Sequence, residues 1–266
     1  MKLKDMEKWQ IKKLIFSFLV IVAIGATYLG VVCSSMYNDK MAEDDYWTSS
    51  MTTPADIEAD IEKFSTDAIE VSTGTYIENL KEISLKNCNF RVEFLVWFKW
   101  SGDEELDMAN NFTVYKGYMN KKEVVKDYHE NGENYQLVRC DVTITKNYWT
   151  IRFPLESHQL RIYLASSYLV DDVLLVPDDE SGLNSNLSIA GFDVDKYATG
   201  SYAVRYDNAH GDPEIPEGGD FIQSEHVTSL QLNRDGPGLY IKCFIALVGT
   251  MTWVLITLFI CTYHHV

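Results

Sequence analysis

Two short segments of the 266-residue sequence, 156–158 and 171–180, contain the residue types that carry chemistry in proteins. Glu156-Ser157-His158 holds the three side-chain types of a catalytic triad. However, adjacent residues on an extended chain point to opposite faces, and no nucleophile-elbow motif accompanies them. Asp171-Asp172 and Asp178-Asp179-Glu180 offer oxygen ligands that suit Ca²⁺, but their spacing does not match a calcium loop. The sequence therefore predicts no catalytic residue, no metal site and no cofactor, so the chain is not expected to be an enzyme.

A third stretch, Arg152 to Ile162, combines a turn with the start of a strand. Pro154 cannot donate a backbone hydrogen bond, so the preceding strand has to end there. Leu160 and Ile162 then alternate with polar neighbours, which is typical of a half-buried strand. The stretch predicts a loop held between two strands.

Strand periodicity continues on both sides of this loop. In Phe90 to Trp100, alternate residues form one apolar face, which predicts a long strand. Alternation also covers Tyr135 to Ile151, and a hairpin with a long tip is predicted from Ser201 to Arg234. Residues 107–134 show no clear pattern. The predicted fold class is mainly β, with a β-sandwich over residues 69–238.

Two uncharged runs of 20 residues, Leu14–Cys33 and Cys243–Thr262, flank the strand-rich region. Each is long enough to cross a bilayer at about 1.5 Å per residue. A cleaved signal peptide is the alternative for the first run, but its apolar core is longer than usual and no clean cleavage site follows. Lys12 and Lys13 precede the run and favour a cytoplasmic N-terminus.

These runs give the expected organisation of the chain. A basic cytoplasmic tail at 1–13 precedes a transmembrane helix at 14–33 and a linker with a short helix at 34–68. The β-sandwich at 69–238 is expected to be extracytoplasmic, and a second transmembrane helix is expected at 239–263. The predicted location is the plasma membrane or the bacterial inner membrane, with the lipid bilayer as one partner.

The net charge of −16 is unevenly distributed. Residues 1–13 carry +3 and residues 239–266 carry +1, so the part between them carries −20. Binding to nucleic acid needs a basic surface, so this acidic part argues against it. This negative charge is consistent with binding to cationic partners, or with an acidic surface that is only exposed to water.

Five cysteines are present, of which only Cys88 and Cys140 belong to the predicted sandwich. Cys33, Cys243 and Cys261 lie in or beside the apolar runs. An odd number without metal-like spacing is not a disulfide framework. One disulfide between Cys88 and Cys140, or two free thiols, both remain open.

Several segments resemble the pentameric ligand-gated ion channels. The stretch from Phe153 to Leu160 is similar to the Phe-Pro-Phe-Asp-x-Gln loop of that family. In animal members, a disulfide closes this loop, and its cysteines would fall at Lys146 and Leu160. The chain therefore resembles the cysteine-free prokaryotic members. Gly74 to Ile77 and Trp100 to Leu106 match the family's first two strands in order, and the resemblance covers about Gly74 to Thr262.

The resemblance implies a ligand-sensing domain that couples ligand binding to membrane helices. Family members bind ligands between subunits in a box of aromatic side chains, for which Trp97, Tyr168, Tyr202 and Tyr206 are the position-matched candidates. Such rings attract a small cationic ligand by cation–π interaction, at about 0.5–2 kcal/mol each. Packing within the sandwich is the alternative role for these rings.

The same resemblance implies a homo-oligomer, with five subunits as in the family. It also assigns Phe153, Pro154 and Glu156 to a loop that couples the ligand site to the helices. The family's pore-lining helix has no counterpart in this sequence. The alternative function is a non-enzymatic accessory or scaffold subunit of a membrane complex, which would use the sandwich for protein–protein contacts.

Overall fold

The computed structural model describes residues 8–49, 55, 57, 58, 61, 67–130, 132–150, 153, 156–189, 191–206, 221–234 and 238–263. The chain divides into two compact units. One unit, within 47–235, contains the strands. The other contains helical residues from both ends of the chain.

The larger sheet has six strands in the order β4-β5-β2-β1-β7, with β8 also paired to β1. Neighbours among β4, β5, β2 and β1 are antiparallel, whereas β7 and β8 run parallel to β1. Its strands are β1 (Ile69–Ser84), β2 (Asn89–Ser101), β4 (Gly117–Glu130), β5 (Glu133–Thr145), β7 (Val173–Pro177) and β8 (Gly182–Leu183).

The smaller sheet has four antiparallel strands in the order β3-β6-β10-β9. Its strands are β3 (Phe112–Val114), β6 (Ser157–Leu169), β9 (Phe192–Tyr206) and β10 (Phe221–Arg234). Strand β10 lies inside this sheet and pairs along its length with β6 and β9. The predicted hairpin thus corresponds to β9 and β10, both longer than the sequence pattern indicated.

The core lies between the two sheets. Alternate residues of β2 point into it and are at most 1% exposed: Phe90, Val92, Phe94, Val96 and Phe98. The opposing sheet contributes Leu160, Ile162, Leu230 and Leu232 to the same cluster. Because two sheets share one buried layer, they form a β-sandwich, and the prediction of a mainly β fold is confirmed.

Polar contacts also join the sheets. The backbone N–H of Leu175 on β7 donates to Ser224 Oγ on β10 at 2.9 Å. The Tyr197 hydroxyl on β9 donates to the carbonyl of Thr75 on β1 at 3.4 Å. Strand β5 belongs to the larger sheet and the next strand, β6, to the smaller one, so residues 146–156 connect the two layers.

The predicted short helix before the sandwich falls only partly within the described residues. Ala55, Ile57, Glu58 and Ile61 are helical, whereas Phe64 lies outside them. Ile57 and Ile61 pack against a small cluster of Val170, Ala203 and Ile222. Their spacing of one helical turn places both on the same face, which explains this contact.

Helix α1 (Lys8–Ser49) and helix α2 (Gly238–Tyr263) belong to the other unit. In the part of the chain that the structure describes, neither helix is both long and apolar enough to cross a membrane. This finding overturns the prediction that two transmembrane helices, at 14–33 and 239–263, flank the sandwich.

Residues 34–49, which the sequence analysis assigned to the linker, belong to helix α1 instead.

Candidate functional site

Trp97 lies on the face of the larger sheet that points away from the core, because it alternates with the buried Val96 and Phe98. It is nevertheless 8% exposed, and its Nε1–H donates to Asp178 Oδ2 at 2.9 Å. Its ring lies against Gly74, where an added Cβ would be 2.3 Å from Cζ2. Trp97 is thus held by contacts within its own chain.

Tyr168 lies on the smaller sheet but points toward the core, where it packs against the main hydrophobic cluster. Its hydroxyl accepts a hydrogen bond from Asn111 Nδ2 at 2.9 Å. The structure therefore does not bring Trp97 and Tyr168 together with the two hairpin tyrosines within one chain.

Tyr202 and Tyr206 both lie on the outward face of the smaller sheet and share one partner. Glu225 on β10 is the register partner of Tyr202, and the Tyr206 hydroxyl donates to Glu225 Oε1 at 3.4 Å. The ring of Tyr163 on β6 meets the Tyr202 ring edge-on at 6.1 Å between centroids. We call Tyr163, Tyr202, Tyr206 and Glu225 the tyrosine–glutamate cluster.

Two further rings extend this cluster. Phe221 stacks in a tilted arrangement on Tyr206 at 5.3 Å, and Tyr115 meets Tyr163 edge-on at 6.2 Å. Three strands of an antiparallel sheet present these side chains on the same face because residues in register share a face. The result is a row of aromatic rings with one carboxyl group among them.

The carboxyl group of Glu225 is only 3% exposed. Burial raises its pKa above the ordinary value, and the hydrogen bonds from Tyr202 and Tyr206 oppose this rise. Among the described residues, no basic side chain lies within ion-pairing distance of Glu225. Burial also raises the pKa of Tyr202, and the neighbouring Glu225 adds to that rise.

In the predicted coupling loop, Phe153 is 53% exposed and its N–H donates to the Thr150 carbonyl at 3.0 Å. Pro154 lies outside the described residues. Glu156 is 1% exposed, and its Oε1 accepts hydrogen bonds from Nε and Nη2 of Arg234, both at 2.9 Å. Arg234 ends β10, so this strand joins Glu225 to the loop.

Asp178 and Glu180 of the acidic stretches and His158 of the triad-type stretch have structural partners. Burial alone would raise the pKa of Asp178, but Lys99, the Glu180 N–H and Trp97 together lower it to about 2. His158 points into the core between Tyr148 and Phe192, away from Ser157. No group of His, Cys, Asp and Glu residues in the described regions could hold a metal ion.

Both sandwich cysteines are free. Cys140 is buried, and burial raises the pKa of its thiol to about 12, so it is a poor nucleophile. Cys88 is exposed in the turn between β1 and β2, with a φ of 52°. The structure therefore has two free thiols rather than a disulfide between Cys88 and Cys140.

Sequence reasoning did not find Glu225 and Arg234. Both lie in β10. The sequence pattern located only part of this strand and assigned no role to its charged residues. For Arg234, its position at the end of the last strand, two residues before Gly236-Pro237, was an available signal. For Glu225, no local signal existed, because its burial depends on rings from β6 and β9.

No protein-family model matches this sequence, and no curated protein sequence is significantly similar to it. The resemblance to the channel family therefore depends on the sequence motifs alone.

Proposed function

We propose that the chain is a non-enzymatic ligand-sensing protein whose sandwich binds a small organic cation at the tyrosine–glutamate cluster. The observation that carries this proposal is the carboxyl group of Glu225, which is buried among tyrosine rings without a basic partner in the described residues. A protein of this kind senses a cation by binding and needs no catalytic group.

The energetics favour a cationic ligand over an empty cluster. A carboxylate removed from water costs free energy unless a positive charge or hydrogen bonds compensate it. Two tyrosine hydroxyls compensate only part of this cost. An ammonium group would supply the missing charge, and the ring faces would add about 0.5–2 kcal/mol each.

Strand β10 offers a route from the cluster to the rest of the molecule. It carries Glu225 near one end and Arg234 at the other, and Arg234 holds the buried Glu156 of the 146–156 loop. Binding that displaces Glu225 would therefore act on the ion pair through the same strand. This arrangement supports the predicted coupling role of Glu156, and Phe153 would be the exposed end of the same loop.

We further propose that the chain acts as a homo-oligomer, as the resemblance implies. Trp97 and the tyrosine–glutamate cluster lie on outward faces of different sheets. In an oligomer, one subunit could contribute the face with Trp97 and its neighbour the face with the cluster to a shared interface. Light scattering measures the mass directly. A ring of five subunits would support the shared site, and a monomer would leave only the single-chain cluster.

The binding test uses tetramethylammonium as the probe, titrated into the full chain by calorimetry. We expect Glu225→Gln to weaken binding at least tenfold, because it removes the counter-charge without changing side-chain size. Glu82→Gln is the matched control, because Glu82 is exposed on β1 of the other sheet. Equal affinity of the wild type and Glu225→Gln would overturn the proposal.

Stability provides a second readout that needs no ligand. Because the folded-state pKa of Glu225 is raised, the folded protein binds more protons than the unfolded chain between the two pKa values. The free energy of unfolding should therefore fall as the pH rises through this window, which starts near 4.3. Glu225→Gln should abolish this fall, and denaturant titrations at several pH values would measure it.

The alternative function, a scaffold subunit, is favoured by the exposed edge strand β4. This strand carries Tyr118, Val124, Val125 and Tyr128, which are between 38% and 74% exposed. If tetramethylammonium and related amines do not bind, this apolar edge becomes the first surface to test for a protein partner.

A further inference from the structure

A groove of about 860 Å³ crosses the outward face of the larger sheet, where β1 begins and β2 ends. Strands β1, β2, β4, β5 and β7 all contribute to its lining. Its lining includes Glu70, Lys99, Tyr128, Glu133 and Tyr135. The groove is on a different sheet from the tyrosine–glutamate cluster, so the two sites do not share a residue.

Two tyrosine rings form one wall of the groove. Tyr128 on β4 and Tyr135 on β5 are register partners, so their side chains lie on the same face of the sheet. The ammonium group of Lys126 lies 5.5 Å from the centroid of the Tyr128 ring and 5.3 Å from that of Tyr135. Both rings therefore already accept an alkylammonium group from their own chain.

Two carboxyl groups on the groove are uncompensated. Glu70 and Glu133 are both exposed, and no basic side chain in the described regions lies within ion-pairing distance of either. The ammonium group of Lys99 also lines the groove, but it contacts Asp178 and Glu180, each at 2.8 Å. The groove therefore presents negative charge beside its aromatic wall.

We propose that this groove binds a flexible diammonium or polyamine molecule. One ammonium group would take the position of the Lys126 ammonium on the two tyrosine rings. The others would lie at the carboxylates of Glu70 and Glu133, which a monoamine could not satisfy together. The volume accommodates an extended aliphatic chain, and this site does not depend on the function proposed above.

The test is a calorimetric titration of the full chain with spermidine at low ionic strength. The Glu70→Gln/Glu133→Gln variant should bind spermidine at least tenfold more weakly than the wild type. Lys126→Met should bind it several-fold more tightly, because the internal ammonium no longer occupies the rings. 1-Aminobutane should bind much more weakly than spermidine, because it offers only one charge.

The matched control is Glu82→Gln/Asp193→Asn, which removes the same charge from exposed positions away from the groove. An equal loss of affinity in both double variants would mean non-specific attraction to an acidic protein and would overturn the proposal. Failure of the wild type to bind spermidine would overturn it too. Glu225→Gln should leave spermidine binding unchanged, which separates this site from the tyrosine–glutamate cluster.

Discussion

Close packing between Gly74 and Trp97 shows why a single side-chain atom matters in this sandwich. The two residues are register partners on β1 and β2, and the indole covers the glycine backbone. The indole N–H then reaches Asp178, which also binds Lys99. A glycine at position 74 is therefore needed for space, because any Cβ there would collide with the ring.

We predict that Gly74→Ala lowers the free energy of unfolding by about 1–3 kcal/mol, as overpacked sites do. The added methyl group would push the indole away from Asp178. Urea titration followed by tryptophan fluorescence measures the loss. Gly182→Ala is the matched control, because its added Cβ would lie 3.7 Å from the nearest atom, an ordinary contact. Equal stability of the two variants would contradict the steric account.

The candidate site shows which of its residues could be predicted from the sequence and which could not. Tyr202 and Tyr206 were singled out and do lie together, because alternate residues of one strand share a face. Trp97 and Tyr168 were placed with them on the basis of resemblance. Which residues of other strands lie beside them depends on pairing between strands distant in sequence, which no local pattern encodes.

Strand β4 is the element that the sequence pattern missed. Its pairing with β5 shifts register between Met119 and Lys121 and again between Val124 and Lys126. Each shift interrupts the alternation of faces, so a period of two cannot persist along the strand. Because β4 is an edge strand and largely exposed, it also lacks the apolar stripe that made β2 easy to predict.

These irregularities have a physical role at an exposed edge. Bulges and lysines discourage another strand from pairing with a free edge. Strand β4 carries Lys121, Lys122 and Lys126 along its length. The same features that hid the strand from sequence analysis thus protect the sheet from edge-to-edge association.

The Arg234–Glu156 ion pair joins the end of β10 to the loop before β6, and we predict that Arg234→Met costs about 3–5 kcal/mol. The substitution would leave a carboxylate that is 1% exposed without its charge partner, and Glu156 Oε2 already has no hydrogen-bond partner among the described residues. Chemical denaturation measures the change.

Two further variants make that prediction specific. Lys121→Met removes a cation whose contact with Glu123 is exposed, so it should change stability by no more than about 0.5 kcal/mol. The double variant Arg234→Met/Glu156→Gln should recover part of the loss, because it removes the buried charge. A double variant as unstable as the sum of its parts would argue against the ion pair.

The stability of the sandwich in acid should depend in part on two buried groups, His226 and Asp178. His226 on β10 is fully buried between the layers, with Ser201 Oγ 3.4 Å from its Nδ1. Burial lowers the pKa of His226 to about 4, and the nearby Asp178 opposes this shift. Folding therefore keeps the imidazole neutral where the unfolded chain would protonate it.

The sign of the effect follows from proton counting. Between pH 6.5 and about 4 the unfolded chain binds more protons than the folded protein, so stability should fall as the pH falls. The lowered pKa of Asp178 extends the loss below pH 4, down to about 2. We expect His226→Gln to remove the loss of stability between pH 6.5 and about 4 and to leave the loss below pH 4 unchanged. Unfolding midpoints between pH 7 and pH 3 would show an unchanged profile if His226 did not contribute.

The central position of β10 has a consequence for how the sequence can vary. Glu225 and His226 are adjacent but point to opposite sides of one strand, and both neighbouring strands fix that register along its length. Inserting or deleting one residue within 221–234 would exchange the two faces, placing a carboxyl group between the sheets and an imidazole outside. A change in the length of β10 would displace every side chain beyond it, whereas a substitution changes one position, so natural variants of this protein should keep the spacing between Glu225 and Arg234 constant.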